Sequence, residues 1–148
     1  ELDIMGKYVP GYEPENKLFL GGEGMIATAD GYTDFIRMLL NHGELNGYRF
    51  LNESTVKEMY SPHTQLEDEY GYNGYNLWVT SELVKELGEG DSGLWRGGGY
   101  EGTHFWIDPK RDFVGVILSQ MFETPKFGEG RDEKIVGEVY RQIFKNEK

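Results

Sequence analysis

The chain has 148 residues, 38% hydrophobic and 14% aromatic, which is enough for one folded domain burying about 68–70% of its unfolded surface and too apolar for a disordered tail. Its formal net charge of −11, from 15 basic against 26 acidic residues, argues against nucleic acid and anionic membranes as partners, because both require a basic patch that releases counterions. No cysteine is present, which excludes disulfides, thiol catalysis and Cys-ligated metal, and no apolar run approaches the length of a membrane span.

Residues 1–20, with Pro10-Gly11 and Pro14, read as an irregular lead-in. The first residue is Glu1 rather than methionine, as expected of a trimmed chain or a piece of a longer one. A first helix is expected after Thr28, a natural N-cap, with Tyr32, Phe35, Ile36, Leu39 and Leu40 on one face and Gly43 ending it. Asn52 is expected to cap a short second helix whose apolar face is Val56, Met59 and Tyr60.

Strands follow at about 74–81, 93–98, 102–107 and 113–120, the last two joined by Asp108-Pro109-Lys110-Arg111-Asp112, with proline where a type I turn favours it. The run Phe113–Met121 is almost continuously apolar and uncharged, the pattern of an interior strand covered on both faces. A final helix is expected from about residue 131 to 146, with Ile135, Val136, Val139, Tyr140, Ile143 and Phe144 at helical spacing. Helix, helix, antiparallel strands, helix is an α+β order: an antiparallel sheet with flanking helices and a closing C-terminal helix.

The stretch Gly97-Gly98-Gly99-Tyr100-Glu101-Gly102 fits a glycine-rich dinucleotide loop only in spelling. Such a loop opens a helix, whereas these glycines run into Thr103-His104-Phe105-Trp106-Ile107, a β-branched and aromatic strand. Glycines at a sheet edge instead strip side chains away so that a ligand or another backbone can come close. His42, His63 and His104 have no ligand spacing, so no metal and no cofactor is expected. The string Ser54-Thr55-Val56-Lys57 spells Ser-x-x-Lys, but Ser54 falls in the first turn of the second helix, away from its apolar face, with neither an activating base nor an oxyanion hole. Tyr72-Asn73 and Tyr75-Asn76 spell a Tyr-x-Asn-like motif, yet Tyr75, Leu77 and Val79 alternate with Asn76, Trp78 and Thr80 as a strand does. Trp78, Trp95, Tyr100, Phe105 and Trp106 are read first as core and cross-strand packing, and second as the lining of a cleft.

The glycine triplet with Gly102-Thr103-His104-Phe105-Trp106-Ile107-Asp108-Pro109 resembles the third active-site motif of the serine β-lactamase, penicillin-binding protein and family VIII esterase superfamily. There a Lys-Thr-Gly, His-x-Gly or Trp-Gly-Gly triplet precedes x-x-Gly-Thr-x-Phe-Trp-x-Asp-Pro in many esterase-like members. Gly21-Gly22-Glu23-Gly24-Met25-Ile26-Ala27-Thr28 is similar to the family's Gly-Gly-x-Gly-Leu-x-Ser-Thr segment. Met38–Gly47 and Leu51–Met59 match its next stretch in order and spacing. The likeness covers most of residues 20 to 121, so residues 21–148 are expected to form the C-terminal part of a β-lactamase-like domain, and the chain as a whole a single partial domain.

The resemblance implies a serine hydrolase acting on small ester or amide substrates through an acyl-enzyme. The family carries its Ser-x-x-Lys nucleophile and tyrosine motif ahead of the Gly-Gly-x-Gly segment, where this chain has only twenty residues; no catalytic residue is therefore expected in it. Gly97, Gly98, Gly99 and Tyr100 are expected to form a substrate and oxyanion wall, with the Tyr100 N–H at the family's oxyanion-donor position and Trp95, Arg96, Gly22 and Glu23 as candidate cleft residues. Gly97 replaces the family's Lys, His or Trp; Arg96 or Trp95 could compensate if the strand is bulged, and loss of the cation favours an esterase-like enzyme over a penicillin-recognising one. The strand near 113–121 is expected to be covered by residues 1 to 20, by a second copy of the chain, or by a separate N-terminal part of the same enzyme, the last two being the expected partners. A periplasmic or secreted setting would follow from the family. The alternative is a non-catalytic binding module derived from the same fold.

Overall fold

The computed structural model describes residues 27–63, 69–99, 102–119 and 131–145, together with the backbone of Leu2–Ile4 and Lys7–Val9. Strands β1 (Leu2–Ile4) and β2 (Lys7–Val9) pair antiparallel as a small hairpin where an irregular lead-in is expected. Helix α1 (Ala29–Leu40) starts as its sequence dictates: the Thr28 hydroxyl accepts a hydrogen bond from the Gly31 N–H at 3.1 Å, satisfying one of the donors left over in a first turn. His42 and Gly43 then take left-handed conformations that end it.

Strands β3 (Glu44–Leu45) and β4 (Tyr48–Arg49) form a tight hairpin around Asn46-Gly47, both at positive φ as a type I′ turn requires. Helix α2 (Glu53–Tyr60) follows Asn52, which occupies the N-cap with extended backbone but makes no side-chain cap bond.

Of the expected strand near 74–81 only β6 (Trp78–Thr80) forms, paired with an earlier strand, β5 (Gly71–Asn73), because the chain turns between them with Asn76 left-handed. Helix α3 (Glu82–Glu86) leads to β7 (Trp95–Gly98), β8 (His104–Asp108) and β9 (Phe113–Ile117), and α4 (Arg131–Ile143) closes the described chain. The last five strands make one antiparallel sheet in chain order, β5-β6-β7-β8-β9. This is the α+β arrangement read from the sequence. No helix among the described residues is long and apolar enough to cross a membrane.

Alternation along the strands sorts the sheet into two faces. On the first, Val79, Trp95, Phe105 and Ile107, with Val114 and Val116, pack against Ile36, Met38 and Leu39 of α1 and Val56 of α2. Each such fully buried aliphatic side chain contributes about 1.5–3 kcal/mol. On the second, Trp106, Phe113 and Ile117 meet Val136, Val139 and Tyr140 of α4 around Leu94.

The second face also holds a charged network. Asp108, 0% exposed, accepts from the Tyr140 hydroxyl at 2.7 Å and the Arg111 Nη1 at 2.9 Å through one oxygen. Its other oxygen accepts from the Lys110 and Arg111 backbone amides, fixing the turn after Pro109. Arg111 also binds Asp91 at 2.7 Å and lies over the Tyr140 and Phe144 rings. Burial and the bond to Asp108 push the Tyr140 hydroxyl well above its ordinary range.

Candidate functional site

Strand β7 is paired with β8 without interruption from Trp95↔Ile107 to Gly98↔His104, while its ladder to β6 stops at Arg96↔Trp78. Past Arg96, β7 therefore has a strand on one side only among the described residues. The free edge consists of Gly97 and Gly98, continued by Gly99.

These glycines are not equivalent. None has positive φ, so backbone conformation does not explain them. At Gly97 the Phe105 ring occupies the space a side chain would fill, its Cζ 2.7 Å from where a Cβ would stand. The ring stands in for the missing side chain in the first-face core. A Cβ on Gly98 would press on the Thr103 carbonyl oxygen at 3.1 Å. At Gly99 the nearest atom would be Thr103 Cβ at 3.6 Å, an ordinary contact. Gly98 and Gly99 are both exposed, and among the described residues nothing in the packing requires Gly99 to be bare.

The connection from β7 to β8 is held firmly at both ends. The Gly99 N–H donates to the Thr103 carbonyl at 2.7 Å and the Gly102 N–H to the Gly99 carbonyl at 3.0 Å. Gly102 is buried with φ +83°, and its carbonyl accepts two further bonds, from Ser119 Oγ at 2.9 Å and Arg131 Nη2 at 3.0 Å. Arg131, the first residue of α4, is steered by Asp132, whose Oδ1 accepts from its Nε at 2.9 Å.

Behind this edge lies a buried cation. Arg96, 6% exposed, donates from Nε to His104 Nε2 at 3.3 Å, and its Nη2 is 3.6 Å from Glu133 but makes no hydrogen bond. Because a guanidinium only donates, His104 Nε2 must carry the lone pair and Nδ1 the proton, which faces Asp132 at 3.9 Å. Burial first, and the Arg96 charge second, hold the His104 pKa below its ordinary 6.5; burial likewise lowers that of Arg96.

The sequence candidates fall as follows. The unbroken register of β7 holds no bulge, so neither neighbour takes over the position of Gly97: Arg96 is directed under α4, and Trp95 is in the first-face core, stacked on Tyr60 at 4.3 Å. Gly22, Glu23 and Tyr100 lie outside the described residues. Ser54 is exposed on α2, opposite buried Val56. The Tyr72 hydroxyl donates to the Tyr60 carbonyl at 3.0 Å, and Tyr75, 57% exposed, stacks on His63. The residues that sequence reasoning missed are Arg131 and Ser119. Their only advance signal is Gly102, read as an alignment anchor when it is also a carbonyl shared by three elements.

Comparison with known proteins agrees with this architecture. A family model described as Beta-lactamase matches residues 3–139. Two curated proteins of Mycobacterium tuberculosis, Protein Rv1367c of strain H37Rv and Uncharacterized protein MT1414 of strain CDC 1551, are each 31% identical over 134 residues, covering 80% of this chain and 32% of the relative. The chain thus spans about a third of the length of the curated relatives it matches.

Proposed function

This chain belongs to the beta-lactamase family, and from that premise we propose that it supplies one wall of the active site of a serine hydrolase cleaving small ester or amide substrates through an acyl-enzyme. The wall is the bare edge Gly97-Gly98-Gly99, continued by the Tyr100 N–H as oxyanion donor. The single observation that carries the reading is Gly99: an exposed glycine where, among the described residues, no strand lies beside the edge and neither conformation nor packing calls for a glycine. Such positions suit close approach of a ligand to the backbone.

The chemistry asked of this wall is modest. A serine hydroxyl outside this chain attacks the substrate carbonyl carbon and passes its proton to a base, and the carbonyl oxygen becomes an oxyanion that a fixed backbone N–H stabilises. The alcohol or amine leaves with a proton, and water then hydrolyses the acyl-serine. Ser54 is not that nucleophile: it is exposed, on a helix whose packing partners are apolar. With no cation in the place of Gly97, an ester or simple amide suits the wall better than a substrate recognised by its carboxylate. The side of β9 that has no strand beside it among the described residues is taken to be covered by the remainder of the same protein, because an apolar strand covered on both faces leaves an edge that folded proteins avoid exposing.

The test compares the 148-residue chain with the full-length protein in p-nitrophenyl butyrate hydrolysis. The chain alone is expected to be inactive. The full-length protein should turn over with a burst of p-nitrophenol, and Ser54→Ala should leave that rate unchanged. Turnover by the chain alone, abolished by Ser54→Ala, overturns the reading, as does a full-length protein without acyl-enzyme formation.

A further inference from the structure

Three elements far apart in sequence converge on one carbonyl oxygen. A short β-hairpin connection needs only its own backbone bonds, and this one has them, Gly99 to Thr103 and Gly102 to Gly99. The bonds to the Gly102 carbonyl from Ser119, just past β9, and from Arg131, at the head of α4, add nothing to the hairpin itself. What they fix is where Gly102, and with it Gly99, lies relative to the end of β9 and the head of α4.

The site is built for that contact. A Cβ on Gly102 would stand 2.5 Å from Arg131 Nη2 and 2.6 Å from Ser119 Oγ, so only glycine lets both donors reach the oxygen, and only glycine readily takes φ +83°. Arg131 is half-buried and held from its other side by Asp132 Oδ1 at 2.9 Å. Side chains locked in this way can hold a backbone to fractions of an ångström.

Resting on the reading of the glycine edge as the acyl-enzyme wall, we infer that Arg131 and Ser119 are positioning residues for the reaction: by gripping the Gly102 carbonyl they set the placement of Gly99, to which Gly102 is hydrogen-bonded. Neither touches substrate. Their effect belongs in the chemical step, because a misplaced oxyanion donor weakens the transition state more than ground-state binding.

The experiment uses the full-length protein with Arg131→Ala, Arg131→Lys, Ser119→Ala and the Arg131→Ala/Ser119→Ala double variant, reading kcat and KM for p-nitrophenyl butyrate and amide hydrogen exchange by NMR. Arg131→Ala should lower kcat by about tenfold to a hundredfold with KM nearly unchanged, and should speed exchange at the Gly99 and Gly102 amides but not in the middle of α4. Arg131→Lys should restore part of kcat. The double variant should lose less than the product of the single losses, since both donors serve one acceptor. If Arg131→Ala does not fold, Ser119→Ala alone carries the same two readouts at smaller amplitude. Unchanged exchange at Gly99 and Gly102 overturns the clamp; faster exchange with unchanged kcat overturns its role in positioning. A full-length protein without esterase activity defeats the proposed function, and the exchange rates still decide whether the clamp exists.

Discussion

The two faces of the central sheet are closed by different means. The first is shut by shape alone: Ile36, Leu39, Val56 and Ile107 interlock with Phe105 and Trp95, and the aromatic ring of Phe105 lies over Gly97. The second has a smaller apolar cluster around Leu94, Trp106 and Val136, flanked at one end by the Asp108, Asp91, Arg111 and Tyr140 network and at the other by Arg96 and His104. A face closed by packing loses stability in proportion to the volume removed. A face closed by buried charges loses it in proportion to the partners left behind, whatever the volume.

The largest expected effect tests that distinction directly. Asp108→Ala strands the Tyr140 hydroxyl and removes a carboxylate bound to Arg111, and is expected to cost about 3–5 kcal/mol in urea denaturation. The sharper comparison removes no volume: Asp108→Asn should cost more than Ile107→Val, for which about 0.5–1.5 kcal/mol is typical. Equal costs would erase the difference between the faces.

The next effect separates a packing glycine from a bare one. Gly97→Ala drives a methyl into the Phe105 ring and is expected to destabilise by about 1–3 kcal/mol. Gly99→Ala meets only an ordinary contact and should stay within about 0.5 kcal/mol of the parent, while lowering esterase activity in the full-length protein. A Gly99→Ala protein as destabilised as Gly97→Ala would return the whole triplet to packing.

The smallest effect is a pH dependence of the second face. His104 has a folded pKa held below 6.5, chiefly by burial, so the unfolded chain binds its proton first and stability falls as pH drops below about 6.5. At Asp91 burial pushes the carboxyl up, but the Arg111 bond, the Ser92 amide and the charges of Lys110 and Lys85 together outweigh it and hold the pKa below 3.8. Its contribution is present above that value and lost as pH falls through the lower folded one. Urea midpoints should therefore decline in two windows, and His104→Gln should flatten the upper one alone. A parent protein whose midpoint does not change between pH 7 and pH 5 contradicts the placement of His104.

How much of this was legible beforehand follows the same division. The first face was written in periodicity: Ile36 and Leu39 at helical spacing, Val56 opposite Ser54, and the alternation of Phe105 and Ile107 all predict the side that is buried. The turn at Pro109 was legible too. The single strand near 74–81 was misread because alternation in Leu77 and Val79 is real but says nothing of Asn76, whose positive φ makes the stretch a hairpin. The Asn46-Gly47 turn was a signal present and not used. On the second face the stripe of Val136, Val139 and Tyr140 was likewise written in helical spacing, but the charged network was closed to sequence reading because its partners, Asp91 with Arg111 and Asp108 with Tyr140, carry no spacing rule; only the assembled sheet brings them together. In the candidate site, the glycine run could be seen, but the division of labour among Gly97, Gly99 and Gly102 depends on Phe105, Ser119 and Arg131, which no local pattern links to them.

The first core joins elements that a ribosome delivers at different times. Helices α1 and α2 emerge before β7, β8 and β9, the strands that cover Ile36, Leu39 and Val56. Until then those side chains lack the strands that cover them, and helices of this length are marginal in isolation. The second face joins segments that emerge close together, from Asp91 to Phe144, so its chain closures are short and entropically light. Helices α1 and α2 thus gain their cover late, when the strands that α4 closes from the other side are in place.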